Sequence, residues 1–285
     1  MKCFKLALGY FKMRIALSSV FIFFTLASFS QRTDTLYLPY GQTYWGNVSN
    51  GKQNGNGIML CTDGKYTGEF KNGKKEGNGT MEYKNGSIYK GHWKNDFPNG
   101  TGLFTRPSGY CYNGEWKDGK PAGEGEMRSD SGEVYKGHFK AGFFDGHGTY
   151  TYLSGDVYDG AFHMGKKEGL GIYRYANGDS YNGNWKNNVR DGEGVYTWKT
   201  GNVYSGHWAN DKANGVGIMK TPAGETYNGH WKDNLWEGKG TATNADGSIF
   251  TGTYHKGARN GRGVLREANG KVTKGKWKDG KLIAK

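Results

Sequence analysis

The chain has 285 residues, of which 50 are glycine and 15% are aromatic, and it carries a formal net charge of +13. Glycine at this level ordinarily signals a chain without a packed core, but here glycine and aromatic residues keep a fixed register, which excludes a low-complexity tract. The basic excess favours acidic partners such as phosphate-bearing lipid, a polyanionic glycan or an acidic protein.

In chain order, residues 1–30 read as a secretory signal peptide. A basic region ends at Arg14, an uncharged run extends from Ile15 to Phe29, and small Ser28 and Ser30 stand at the −3 and −1 places of a cut before Gln31. The alternative is an uncleaved N-terminal membrane anchor, although the run is short for a spanning helix. Either way the remainder is expected to be exported, to the periplasm, the cell envelope or the exterior, and nucleic acid is not an expected partner. Without Lys2, Lys5, Lys12 and Arg14, 35 Lys and Arg face 26 Asp and Glu, a net charge of +9. Residues 31–43 lack the frame that follows. There Thr35-Leu36-Tyr37-Leu38 alternates and is expected to be a capping strand, because terminal units must cover an open core.

From residue 44 to 285 one unit recurs. Its third copy reads Tyr89-Lys90-Gly91-His92-Trp93-Lys94, then Gly100-Thr101-Gly102-Leu103-Phe104, then a turn at Gly109. The leading aromatic returns every 23 residues, at Tyr66, Tyr89, Tyr112, Tyr135, Tyr158, Tyr181, Tyr204, Tyr227 and Phe250. A fixed period of this kind marks a repeat architecture. Side chains alternate along a strand, so Tyr89, Gly91 and Trp93 share one face and Lys90, His92 and Lys94 the other. Asn85-Gly86, Asn177-Gly178 and Asp246-Gly247 supply tight-turn signals. Nothing has a helical period, and glycine every few residues opposes helix. The fold class expected is all-β: an elongated, single-sheet antiparallel β-meander of tandem β-hairpin repeats. At about 9.6 Å per hairpin it would be on the order of 100 Å long. Cys61 and Cys111 then stand five strands apart, roughly 24 Å, beyond the ~7 Å a disulfide spans, and are expected to remain thiols.

The frame Tyr-x-Gly-x-Trp/Phe followed by Gly-x-x-x-Gly-x-Gly resembles the MORN repeat family. Repeats two, five and six match most fully: Tyr66, Gly68, Phe70, Gly73, Gly77 and Gly79; Tyr135, Gly137, Phe139, Gly142, Gly146 and Gly148; Tyr158, Gly160, Phe162, Gly165, Gly169 and Gly171. Asp96, Asn188, Asp211 and Asn234 depart at the loop glycine, but Asn and Asp tolerate a left-handed backbone, so the loop shape is expected to survive. The resemblance covers about residues 44–280. It implies an elongated scaffold, with roles in protein and phospholipid binding. Catalytic domains are often fused to such repeats in that family, and here the repeats fill the chain.

The sequence holds no His-Glu-x-x-His, no Walker loop and no nucleophile elbow, so no enzymatic activity, cofactor or metal is expected. His92, His138, His207 and His230 recur at one position, but equivalent atoms stand near 10 Å apart, too far to share a metal with bonds of about 2 Å. Three sets of residues are candidates for binding. Lys71, Lys94, Lys117 and Lys140 open a basic ladder suited to a polyanion, or to solubility alone. Tyr152, Tyr175 and Trp198 are consecutive aromatics in a column that elsewhere holds Arg, Ser, Asn and Glu, and they are expected to form a partner-facing patch. Phe97, Phe143-Phe144 and Leu235-Trp236 are apolar loop tips, either anchors for a membrane interface or rims folded back over the sheet. The reading is a non-enzymatic repeat scaffold of the cell envelope or exterior that binds a protein partner or an anionic membrane surface. A glycan-binding repeat protein and a purely structural spacer are the alternatives.

Overall fold

The computed structural model describes residues 33–285, and the proposed signal peptide lies outside the described residues. Twenty-three strands, from Thr33–Leu38 to Lys281–Ala284, form one open antiparallel sheet in which each strand pairs with the next. Two kinds of turn alternate along it. Inside a repeat the loop has two residues, both left-handed, as at Asn95 (φ 49°) and Asp96 (φ 72°). That backbone matches the twist of the strands it joins, and Asn, Asp and Gly bear it best. Asp96, Asn188, Asp211 and Asn234, the four departures from glycine, hold φ between 66° and 75°, so the loop shape does survive. Between repeats, Gly86 at φ 80° closes the turn, its N–H donating to the Tyr83 carbonyl.

Each hairpin carries an irregularity at the same place. Gly91 faces Gly102, but Trp93 faces Pro98, so His92 alone opposes Asn99, Gly100 and Thr101. Such a bulge interrupts the ladder and strands a carbonyl. The Tyr89 hydroxyl fills the gap, donating to the His92 carbonyl at 2.9 Å. The same bond recurs from Tyr66 to Glu69, Tyr135 to His138, Tyr181 to Asn184 and Tyr227 to His230. To reach it the ring must lie over the glycine pair. A Cβ on Gly91 would stand 2.5 Å from the Gly102 Cα, so no other residue fits beneath the ring.

A single sheet has no second layer to make a core, and here the rings make it. The leading aromatics, Tyr44 to Phe250, are 0–1% exposed and the rings four residues on are 3–9% exposed. From Tyr66 to Phe250 each leading ring meets two of the second column edge-on, its own and that of the next repeat, while Tyr44, with Val48 in place of a second ring, meets Phe70 alone. Twenty rings thus run unbroken from Tyr44 to Trp277, with centroids 4.8–5.5 Å apart and planes at 77–90°. Edge-on pairs are the favoured geometry for aromatic quadrupoles. Several tryptophans add a bond: Trp185 Nε1 donates to the Gly171 carbonyl at 3.2 Å and Trp231 Nε1 to that of Gly217 at 3.1 Å. Cys61 and Cys111 lie on Lys52–Cys61 and Cys111–Lys117, five strands apart, and no disulfide joins them.

The loop Asp and Asn residues also staple repeats together. Asn188 donates its N–H to the Lys167 carbonyl and accepts the Lys167 N–H on Oδ1 at 2.8 Å. Asp96 does the same for Lys75, Asp211 for Arg190 and Asn234 for Ala213. Pro98 and Pro121 have no N–H to offer, and the loop residues facing them are Gly119 and Gly142. Asn188→Gly keeps the left-handed turn and removes the acceptor. It is expected to cost about 1 kcal/mol, measured as a lower urea midpoint.

Candidate binding surfaces

The sheet presents a ring-bearing face, an opposite face, and an edge formed by the within-repeat loops. Tyr152, Tyr175 and Trp198 lie on the ring-bearing face and are half-buried. They interleave with Tyr150, Tyr173 and Tyr196, two residues earlier, each in the strand that ends just before the candidate ring. The resulting strip runs Tyr150, Tyr152, Tyr173, Tyr175, Tyr196, Trp198, with centroids 4.5–5.8 Å apart. The structure therefore brings the three candidate rings together and adds three more.

Carboxylates hold this strip. The hydroxyls of Tyr150, Tyr173 and Tyr196 donate to Glu133, Asp156 and Asp179 at 2.8–2.9 Å. Burial, with the neighbouring Glu133, pushes the Tyr150 hydroxyl up to about 12. The Asp156 and Asp179 carboxyls are held below their ordinary value by the backbone N–H groups of Ala176 and Lys199. Beside the strip two cations are folded into the rings. The Lys167 ammonium stands 4.3 Å from the Trp185 centroid and 4.7 Å from that of Tyr173, and burial draws its pKa down to about 8. The Arg190 guanidinium stands 4.3 Å from the Trp208 centroid and bonds Asp211 through Nε at 3.0 Å.

The loop-tip candidates divide, because neighbours in a strand point to opposite faces. Phe144 lies on Tyr135, 3.8 Å between centroids at 17°, and Trp236 lies on Tyr227, 4.2 Å at 3°. Both are rims of the ring core. Phe97, Phe143 and Leu235 instead stand 55%, 51% and 47% exposed. Lys71, Lys94, Lys117 and Lys140 are exposed beside them, paired across the loops with Lys74, Phe97, Lys120 and Phe143. The facing column thus alternates: Lys74, Phe97, Lys120, Phe143, Lys166, Val189, Lys212, Leu235. The sequence pattern alone does not single out two further residues of this edge. Val189 completes this two-repeat alternation. Met164, in the next loop after Phe143, is 60% exposed.

His138 and His207 pair with Glu124 and Glu193 across strands at 3.1 and 2.8 Å. Among the described residues no three His, Cys, Asp or Glu side chains come together as metal ligands.

No curated protein matches the chain. Among solved structures, the TCP10 domain of CPAP from Danio rerio, in complex with a STIL peptide, is 15% identical, with a TM-score of 0.38 over 86% of this chain and 100% of that one. The TCP domain of Drosophila melanogaster SAS-4, in complex with a proline-rich motif of Ana2, is 10% identical, with a TM-score of 0.34 over 70% of this chain and 90% of that one. Likenesses this distant carry no argument. The model of the MORN repeat, by contrast, matches ten consecutive segments between residues 44 and 272, from 44–65 to 250–272. With the repeat that recurs in the sequence also recurring in the register, the bulge and the ring ladder, the chain belongs to the MORN repeat family.

Proposed function

We propose that this chain is a non-enzymatic binding scaffold of the cell envelope or exterior, and that its loop-tip edge docks on an anionic membrane surface. The observation that carries this reading is the pair of central loops, Lys140-Ala141-Gly142-Phe143 and His163-Met164-Gly165-Lys166. They set Phe143 and Met164, both more than half exposed, between two lysines; neither loop has a carboxylate of its own, and the nearby Asp145 is engaged by His163 Nδ1 at 3.1 Å and by the Met164 N–H at 3.2 Å. Apolar side chains that enter the headgroup layer beside basic charge are the composition of interfacial binding, and each Lys near an anionic leaflet adds about 1 kcal/mol. The spacing supports it: Phe97 and Phe143 are two repeats apart, about 19 Å, and Phe143 and Leu235 four repeats apart, about 38 Å. A row of weak contacts on a long body gains by avidity. A glycan reader would set separate rings among polar neighbours, whereas the six central rings touch one another.

The test is co-sedimentation of the chain with phosphatidylglycerol vesicles and, separately, phosphatidylcholine vesicles. Binding is expected only to the anionic set and to fall with salt. Phe143→Ser with Met164→Ser should lower it about tenfold or more, since each side chain withdrawn from water supplies roughly 1.5–3 kcal/mol, while the melting temperature barely moves. If the unaltered chain ignores anionic vesicles, the membrane reading is lost and an acidic protein becomes the partner to seek.

A further inference from the structure

One position in every repeat points into a slot on the ring-bearing face. It is the residue cross-strand from the second-column position, Val48 in the first repeat and an aromatic in the others: Gln53, Lys75, Pro98, Pro121, Phe144, Lys167, Arg190, Ala213, Trp236 and Arg259. The far wall of each slot is the second-column ring of the next repeat. The nature of that wall sorts the occupants. Six slots have a tryptophan wall, and in four of them the chain inserts a cation: Lys75 against Trp93 at 5.0 Å, Lys167 against Trp185 at 4.3 Å, Arg190 against Trp208 at 4.3 Å and Arg259 against Trp277 at 5.5 Å. Pro98, against Trp116, is the fifth. The slots walled by Phe70, Phe139, Phe162 and Tyr254 take neutral Gln53, Pro121, Phe144 and Trp236. Tryptophan offers the strongest cation–π face, so this sorting has a physical basis.

The sixth tryptophan-walled slot has no occupant. Ala213 stands where its two predecessors have Lys167 and Arg190, and its backbone is placed as theirs, its N–H donating to Asn234 Oδ1 as the Arg190 N–H donates to Asp211 Oδ1. Its short side chain leaves a cleft of about 570 Å³ between Trp198, Tyr204, Met219 and Trp231, with the bonded pair Arg190–Asp211 at one side. Asp211 already neutralises Arg190 there. Lys167 and Arg190 also show that cations in successive slots are compatible with this fold.

We infer that the Ala213 slot binds the ammonium or guanidinium end of an extended alkyl cation, the chemistry of a lysine or arginine side chain on a partner polypeptide. The ligand would complete the slot as Arg190 completes its own. This site is on a different surface from the loop-tip edge and stands or falls independently of vesicle binding.

Butylguanidinium is the probe, with neutral butylurea as its control, followed by quenching of tryptophan fluorescence. The chain should bind butylguanidinium saturably at one site and butylurea about tenfold more weakly, the ratio a cation–π contact supplies. Ala213→Arg should fill the slot from within and abolish binding while raising the melting temperature. Lys167→Ala should open a second slot of the same kind and double the number of sites, which keeps the proposal testable if the arginine variant folds poorly. Poly-lysine should then compete with butylguanidinium for the unaltered chain and not bind Ala213→Arg at that site. Equal binding of butylurea, unchanged binding by folded Ala213→Arg, or no saturable binding by the unaltered chain would each overturn it.

Discussion

Gly160→Ala is expected to destabilise the array by about 3 kcal/mol or more, and Gly224→Ala by only about 1 kcal/mol. At Gly160 an added Cβ would stand 2.5 Å from the Gly171 Cα, 2.6 Å from the Tyr158 hydroxyl and 2.8 Å from the Leu170 carbonyl oxygen. Two of these are backbone and cannot swing aside. The third is held by its bond to the Ala161 carbonyl at 2.9 Å. Making room therefore parts the strands or lifts the Tyr158 ring off the glycine pair. Lifting the ring would break its edge-on contacts with Phe162 and Trp185. Repeats contact only their neighbours, so one failed repeat uncouples the two halves, and the urea transition should broaden or split. Gly224 sits in a turn between repeats at φ 86° with no atom within 4 Å of an added Cβ. Its only cost is the left-handed backbone. Equal losses for the two variants would show that the ring does not clamp the glycine pair.

That contrast marks what a sequence can and cannot disclose here. The strand alternation, the buried Tyr and Trp columns and the exposed lysine ladder follow from a strict period, because each is a property of one strand or of one column. From the sequence, Phe143 and Phe144 form one apolar tip because the loops share an edge. The strand puts them on opposite faces, and Phe144 becomes part of the core. The sequence column makes Tyr152, Tyr175 and Trp198 a patch of three consecutive rings, and the structure interleaves them with three tyrosines of a neighbouring column. The residue two places earlier is also a tyrosine in those repeats, so each ring has an aromatic neighbour there, where Tyr83 has Met81. The slots were the least legible feature. Lys167 reads as one more surface lysine until the cross-strand register sets it against Phe162 and brings Trp185 of the next repeat over it. Those partners come from three strands, and no single period connects them. Asp96 and Asn188 likewise looked like tolerated departures, yet each takes a backbone bond that glycine could not.

Above about pH 10 the array is expected to lose stability steeply, and the buried tyrosine column is the reason. Tyr66, Tyr89, Tyr112, Tyr135, Tyr158, Tyr181, Tyr204 and Tyr227 are 0–1% exposed, and burial raises each hydroxyl above its ordinary value of 10.0. In the unfolded chain these groups release their protons near pH 10, while the folded chain keeps them. Unfolding then releases protons, so the stabilising contribution is complete below pH 10 and is lost as pH rises beyond it. A fully shifted group contributes about 1.4 kcal/mol per pH unit. A sheet one layer thick leaves solvent near enough to screen part of the shift, which narrows the pH range over which each group contributes without changing its sign, and eight groups act in the same direction. Lys167 acts with the opposite sign over a lower window. Its folded pKa is drawn down from 10.5 to about 8, so the unfolded chain holds that proton longer and stability rises as pH climbs from 8. One lysine is outweighed by eight tyrosines once both titrate. The urea midpoint should therefore rise slightly above pH 8 and collapse above pH 10. Lys167→Met should remove the rise and leave the collapse. Most of the tyrosinate absorbance should appear together with the loss of β-sheet circular dichroism, since Tyr37 and Tyr40 lie outside the ring column and are exposed. If the column ionises fully near pH 10 while the sheet signal persists, the rings are not sealed from water and the ladder does not hold the array as described.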